Sequence, residues 1–205
     1  MQAQMQTQNR AVQNNWKMRD FITLAIFNVL MIIVMTMVDM FARPLHFLAV
    51  GGITALVNGP VYMVMSNKIG KRGVLFFTAL LTGLYLLAFG FVYFLITLAV
   101  VGVLCELIMW GKDTYKHPLR NAIGYGIFYV GYSLCGAVPF VFFREQYLAI
   151  LSQSYPPSEL DNMVYYFSTP SMVLSMCAIS LTGAFAGCFL GNTLLKKHVK
   201  KAKLV

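Results

Sequence analysis

The chain alternates between long apolar runs and short segments that carry its lysines and arginines. One run near the C-terminus covers residues 171–195, which are 25 positions without a formal charge. As a helix it would be about 37 Å long, enough to cross the ~30 Å hydrocarbon core of a membrane. Thr169 and Pro170 come directly before it, and both residue types suit a helix start. The pattern predicts a membrane-spanning helix that ends in a lysine-rich segment.

Similar runs predict five further spans. Residues 73–105 are 33 positions without a charge, which is too long for one span and fits two spans that turn near Gly90. Span 2 is interrupted by Pro60, which should kink the helix. Span 1 is predicted at residues 20–40, span 2 at residues 45–67 and span 5 at residues 121–143. A long connection, residues 146–168, precedes span 6. We therefore predict an all-α fold, a polytopic membrane protein whose residues 20–205 form one six-helix bundle.

Small residues on span 6 indicate how this helix packs. Gly183, Gly187 and Gly191 follow each other at four-residue spacing and share one helical face. Inside lipid, where packing drives association, such a face lets a second helix approach closely. We predict that the three glycines are helix-packing residues.

The distribution of the basic residues predicts the topology. With six spans, fourteen of the sixteen lysines and arginines fall on one side of the membrane, and Arg43 and Arg144 fall on the other. The positive-inside rule then places both termini in the cytoplasm. Residues 1–19 are expected to be a mobile cytoplasmic tail with an interfacial anchor at Trp16. The net charge of +9 is explained by topology and anionic lipid, so we expect no nucleic-acid partner.

Catalytic and metal-binding motifs are absent from the sequence. Hydrophobic residues make up 59% of the chain and charged residues 11%, which is typical of a membrane protein rather than a soluble enzyme. The four cysteines show no metal-ligand spacing, so neither a metal nor a cofactor is expected. Glu106 is an acid inside an apolar run. An intramembrane enzyme that uses Glu106 or His117 therefore remains an alternative hypothesis.

Polar and aromatic residues concentrate at the predicted outer end of the bundle. Aromatic side chains there could cover an apolar ligand body, while a few charged groups could fix its polar atoms. We expect a largely organic ligand, a vitamin or a tetrapyrrole. The candidate binding residues are Met35, Asp39, Arg43, His46, Tyr129, Tyr132, Arg144, Tyr147 and Tyr165.

Several motifs resemble a known family. They are Met18-Arg19-Asp20-Phe21-Ile22, Asn58-Gly59-Pro60-Val61-Tyr62, Lys71-Arg72-Gly73, and the glycine face that leads to Leu194-Leu195-Lys196-Lys197-His198. In these features the chain is similar to the substrate-binding (S) subunits of energy-coupling factor (ECF) transporters, and within them to the Trep_Strep family. The similarity covers nearly all of the chain beyond residue 17.

The resemblance implies a six-helix subunit of the bacterial cytoplasmic membrane that captures a micronutrient from outside. It also implies a membrane coupling subunit (T component) and two cytosolic ATPases as partners. Related subunits often contact the coupling subunit through small residues four apart on span 1, where this chain has Ala25 and Asn28. Span 2 offers Ala55 and Gly59 at that spacing, so the resemblance implies these four residues as contacts. The alternative is a structural or assembly membrane protein whose glycine face packs against a permanent partner.

Overall fold

The computed structural model describes residues 15–42, 47–111 and 113–199, with the backbone alone for residues 198 and 199. This part of the chain folds into helices and contains no strand, as the sequence predicts. The helices are α1 (Met18–Ala42), α2 (Phe47–Ile69), α3 (Val74–Leu87), α4 (Val92–Ile108), α5 (Pro118–Phe142), α6 (Arg144–Leu151), α7 (Pro157–Ser168) and α8 (Pro170–Leu194). A 3-10 turn at Thr114–Lys116 precedes α5, and a π-helical turn at Leu195–Val199 follows α8.

Four of the described helices are long and apolar enough to cross a membrane. They are Met18–Ala42, Phe47–Ile69, Pro118–Phe142 and the extended last helix, Pro170–Lys197. The helices α3 and α4 are apolar too but have only 14 and 17 residues. They form a hairpin that turns at Gly90, whose φ of 88° is a conformation that glycine adopts readily. The predicted turn is therefore present, with shorter helices on either side than expected.

The connection predicted at residues 146–168 consists largely of two short helices. Pro157 lies in the first turn of α7. Backbone amides in a first turn have no hydrogen-bond partner within the helix, so a proline costs no hydrogen bond there. Phe140, Tyr147, Leu151 and Met163 bury their side chains together in a small separate core. Burial of this apolar surface fixes α6 and α7 against the end of α5.

The helices α2 and α8 pack along each other through their small residues. A Cβ atom placed on Gly187 would lie 2.6 Å from the carbonyl oxygen of Leu56, and one on Gly191 would lie 2.8 Å from the Cα of Pro60. Both neighbours belong to the α2 backbone. The glycine face of α8 therefore contacts this chain's own helix.

Charged and aromatic residues hold the basic end of the bundle together. Lys71 forms an ion pair with the buried Asp20, which also accepts a hydrogen bond from the Lys17 amide at 2.8 Å. Trp16, predicted as an interfacial anchor, packs its ring against Phe21 and donates from Nε1 to the Arg72 carbonyl at 2.9 Å. These contacts tie the start of α1 to the segment between α2 and α3.

Candidate ligand cavity at the end of the bundle opposite the lysines

A cavity of about 110 Å³ lies between the ends of the helices. One water molecule needs roughly 10–15 Å³ of such space, so the cavity has room for a small organic molecule. All eight helices contribute side chains to its wall. The lining residues are Asp39, Phe47, Val50, Gly51, Leu86, Phe91, Phe94, Tyr132, Ser133, Gly136, Tyr147, Leu151, Tyr155, Met163, Phe167 and Met176.

The short α3–α4 hairpin helps to explain why there is space at this position. A helix of 14 residues is about 21 Å long, less than the ~30 Å of a hydrocarbon core. Leu86 at the end of α3 and Phe91 at the turn form one wall of the cavity. Helix α6 packs against the start of α4, where Tyr147 contacts Tyr93 edge to face with ring centroids 6.1 Å apart. The two short connecting helices thus cover a space that the hairpin leaves unfilled.

Aromatic rings form much of the remaining wall. Phe167 on α7 stacks on Phe140 at 6.0 Å and contacts Phe47 edge to face at 6.3 Å. Phe91 stacks on Phe94 at 4.9 Å. Since rings in these arrangements support each other, the wall is preorganised by contacts among its own members.

A few polar groups face the cavity. The Tyr132 hydroxyl donates to Oδ2 of the half-buried Asp39 at 3.2 Å. Ser133 shares a 2.6 Å hydrogen bond with Ser180 of α8. Asp39 is the one charged residue that lines the cavity in the described ranges, and no lysine, arginine or histidine does so there. The described part of the wall is therefore largely apolar, with the Asp39 carboxylate near two hydroxyls.

A second, much smaller cavity lies next to the first and shares Tyr132 with it. Its volume is about 10 Å³, close to the space for a single water molecule. Met31, Met35 and Tyr129 line it together with Asn58. The amide of Asn58 donates to the Met31 carbonyl at 3.0 Å and to the Tyr129 hydroxyl at 3.1 Å. Its Oδ1 atom is buried and has no hydrogen-bond partner among the described residues.

The predicted binding residues fall into three groups. Asp39, Tyr132 and Tyr147 line the main cavity, whereas Met35 and Tyr129 line the small one. Arg144 and Tyr165 are exposed and line neither cavity, because they lie on the outer sides of α6 and α7. Arg43 and His46 are outside the described residues.

Sequence reasoning missed the hairpin's contribution to the site. Leu86, Phe91 and Phe94 line the cavity although they lie in a run with no charged residue to draw attention to them. The one signal was the length of that run, which leaves fewer than 20 residues for each of two spans. Ser133 was also missed, because a lone serine in an apolar helix has no distinguishing pattern.

The residues expected to contact a coupling subunit are mostly covered by this chain. Ala25 is exposed on α1. Asn28 is 2% exposed and Ala55 is fully buried, and a Cβ on Gly59 would clash with the backbone of Gly187. Asn28, Ala55 and Gly59 therefore serve contacts within the bundle in this structure, and their contact with a coupling subunit stays a prediction.

Glu106 has a local structural role. Its Oε1 atom accepts hydrogen bonds from the backbone amides of Leu75 at 3.1 Å and Phe76 at 3.3 Å, and from the Tyr115 hydroxyl. These amides belong to the first turn of α3, whose preceding residue Gly73 offers no side chain as a cap. Burial and the adjacent Glu106 carboxylate both raise the pKa of Tyr115. Glu106 thus caps α3 from a neighbouring helix, whereas His117 is exposed.

The fold and its apolar helices define a multi-pass integral membrane protein of the helical-bundle class. Residues 18–201 match the family model described as a hypothetical bacterial integral membrane protein, Trep_Strep, and the chain belongs to this family. No curated protein and no solved structure matches the chain.

Proposed function

We propose that the chain is the substrate-capture subunit of an ATP-driven importer of the ECF type. The observation that carries this proposal is the cavity at one end of the bundle, lined by aromatic rings and a carboxylate. Binding sites for small molecules are commonly concave, largely apolar and provided with few polar groups, as this one is. Its function is to hold a small organic molecule and to pass it to partner subunits.

The orientation follows from the charges at the two ends. We propose that α3 and α4 complete a six-span bundle despite their length. Helix α1 begins beside Lys17 and Arg19 and ends near the cavity, while α8 runs from the cavity side to Lys196 and Lys197. Basic residues favour the cytoplasmic side, so the cavity opens toward the outside of the bacterial cytoplasmic membrane. A subunit that captures nutrients needs its site on that side.

The cavity's size limits the range of substrates that fit. Its volume of about 110 Å³ is below the ~300–1,000 Å³ typical of sites for drug-sized ligands. This volume favours a small micronutrient over a tetrapyrrole as the substrate. Because the wall is formed by all eight helices, movement of the helices against each other would change the site and release the substrate.

The partners in this proposal are a membrane coupling subunit and two cytosolic ATPases. Exposed Ala25 on α1 is the member of the predicted contact set that remains accessible. The alternative of an assembly protein that packs through its glycine face loses its basis, since Gly183, Gly187 and Gly191 contact α2. No catalytic role is part of this proposal.

Isolation from native membranes tests the transport assignment. The tagged chain is extracted in a mild detergent, and the proteins that remain bound are identified by mass spectrometry. We expect two ATP-binding-cassette ATPases and one further membrane protein in fixed proportion to the chain. Recovery of the chain with a permanent membrane partner and without any ATPase would contradict the proposal and favour an assembly role.

A further inference from the structure

An asparagine in the middle of α2 has an acceptor that the described residues leave unused. Asn58 is 1% exposed, and its amide nitrogen donates to the Met31 carbonyl and to the Tyr129 hydroxyl. Because a carbonyl can only accept, the nitrogen must face Met31, which leaves the oxygen Oδ1 as the second hydrogen-bonding atom of the amide. Within the described ranges, Oδ1 is buried without a hydrogen-bond partner. Such an atom costs free energy, and a membrane interior supplies no bulk water to satisfy it.

The small cavity beside Asn58 supplies the space for a partner. Its volume of about 10 Å³ is close to the roughly 10–15 Å³ that one water molecule needs. A buried water is held by about two to four polar groups. Besides Asn58, the hydroxyl-bearing residues Thr82, Tyr129 and Tyr132 line the same cavity. The cavity therefore has the size and the polar residues to hold one small hydrogen-bonding group.

We propose that the small cavity binds one neutral O–H or N–H donor, which hydrogen bonds to Asn58 Oδ1. The donor is an ordered water molecule or the terminal hydroxyl or amide group of a molecule bound in the main cavity. Tyr132 lines both cavities, so a ligand group reaches Asn58 by passing this ring. The second source of the donor rests on the proposed function, because it extends the same ligand site, whereas the first does not.

Two other chemistries fit the small cavity less well. An acceptor group such as an ether or a ketone would oppose Oδ1 with a partial charge of the same sign. A charged group would be buried without a counter-ion, since no carboxylate, lysine or arginine lines the small cavity in the described ranges. A neutral donor meets neither penalty.

The occupant is identified in an experimental density map of the purified protein that resolves ordered waters. We expect density at about 2.5–3.2 Å from Asn58 Oδ1, the distance of an O–H or N–H hydrogen bond to oxygen. An isolated peak assigns the donor to water, and density continuous with a molecule in the main cavity assigns it to that molecule. A small cavity without density, or Oδ1 bonded to a protein group, would overturn the proposal.

A solution experiment detects bound water through the methionines beside it. An X-ray pulse converts water in place to hydroxyl radicals, which oxidise neighbouring methionine side chains. The protein is first exchanged into detergent buffer until it retains no small molecule, so that water alone can occupy the cavity. Met31 and Met35 line the small cavity, whereas Met63 is also buried but lines neither cavity. We expect Met31 and Met35 to be oxidised several-fold faster than Met63.

Variants connect this oxidation to Asn58. Asn58→Leu keeps a similar shape without the acceptor, so it should slow the oxidation of Met31 several-fold and leave that of Met63 unchanged. Val57→Leu is the control, because Val57 is exposed on the same helix. If Asn58→Leu does not fold, Thr82→Val replaces it, since it removes a hydroxyl from the same wall with little change of shape.

Equal oxidation of Met31 in the parent and in the folded variant would contradict the proposal. Slower oxidation in Val57→Leu as well would also contradict it, because the effect would then not depend on the cavity. Neither experiment decides whether the chain works with ATPases, which the isolation experiment tests separately.

Discussion

Replacement of Gly187 tests how closely α2 and α8 must approach. A Cβ at this position would lie 2.6 Å from the Leu56 carbonyl oxygen and 2.7 Å from that of Ala55. Both atoms are backbone, so no rotamer change can relieve the contact. Because ordinary contacts begin at 3.4 Å, the two helices must move apart locally by roughly 0.8 Å, the difference between these distances.

Two effects follow from that movement. Overpacking of a well-packed interface costs about 1–3 kcal/mol, and in lipid the helices have little hydrophobic driving force to offset the loss of contact. The Ala55 carbonyl also accepts a 3.0 Å hydrogen bond from the buried Tyr125 hydroxyl, which the shift would lengthen. We expect Gly187→Ala to lower the free energy of unfolding by about 1–3 kcal/mol and Gly187→Leu to reduce the yield of folded protein severely.

The assay is unfolding of the purified protein by titration with a denaturing detergent, followed by circular dichroism. Ala186→Leu is the matched control, because Ala186 is the preceding residue on α8 and is exposed. It adds more volume than Gly187→Ala but should leave the unfolding midpoint unchanged. Equal midpoints for Gly187→Ala and the parent protein would refute the close contact. Normal stability with lost substrate binding would instead make this face functional.

Two further predictions follow from the fold. Glu106→Ala removes the acceptor for two amides of α3, so it should lower the free energy of unfolding by about 1–3 kcal/mol. Glu145→Ala, at an exposed carboxylate, is the control and should leave the free energy of unfolding unchanged. Lost ligand binding at unchanged stability in Glu106→Ala would contradict the capping role. The orientation is tested by labelling intact cells with an impermeant thiol reagent, in a protein that lacks the four native cysteines. Ser158→Cys should be labelled and Lys197→Cys should not. The reverse pattern would overturn the proposed orientation.

The positions of the long helices could be predicted from the sequence because each coincides with an apolar run bounded by charges. The turn at Gly90 was predictable for a related reason, since a run of 33 residues exceeds one membrane thickness. The helices α6 and α7 could not be predicted in this way. Their segment mixes prolines, acids and aromatics, and its order depends on contacts of Met163 and Phe167 with the distant Phe140.

The partners of small or polar residues were the harder part of the prediction. Spacing shows that Ala55 and Gly59 share a face with Gly51, but spacing cannot show whether that face meets another subunit or the chain's own α8. Glu106 poses the same difficulty, because its partners Leu75 and Phe76 are about thirty residues away in sequence. Such contacts become visible only when the helices are assembled.

The most direct test of the account is whether the cavity retains a small molecule. The protein is purified from native membranes, and the small molecules that it releases on denaturation are identified by mass spectrometry. Val50→Phe introduces a ring into the cavity wall, while Val57→Phe makes the same change at an exposed position of α2. The account predicts one organic compound, in near-stoichiometric amount, from the parent and Val57→Phe and its loss in Val50→Phe. Equal retention by both variants, or no retained compound in the parent, would contradict it.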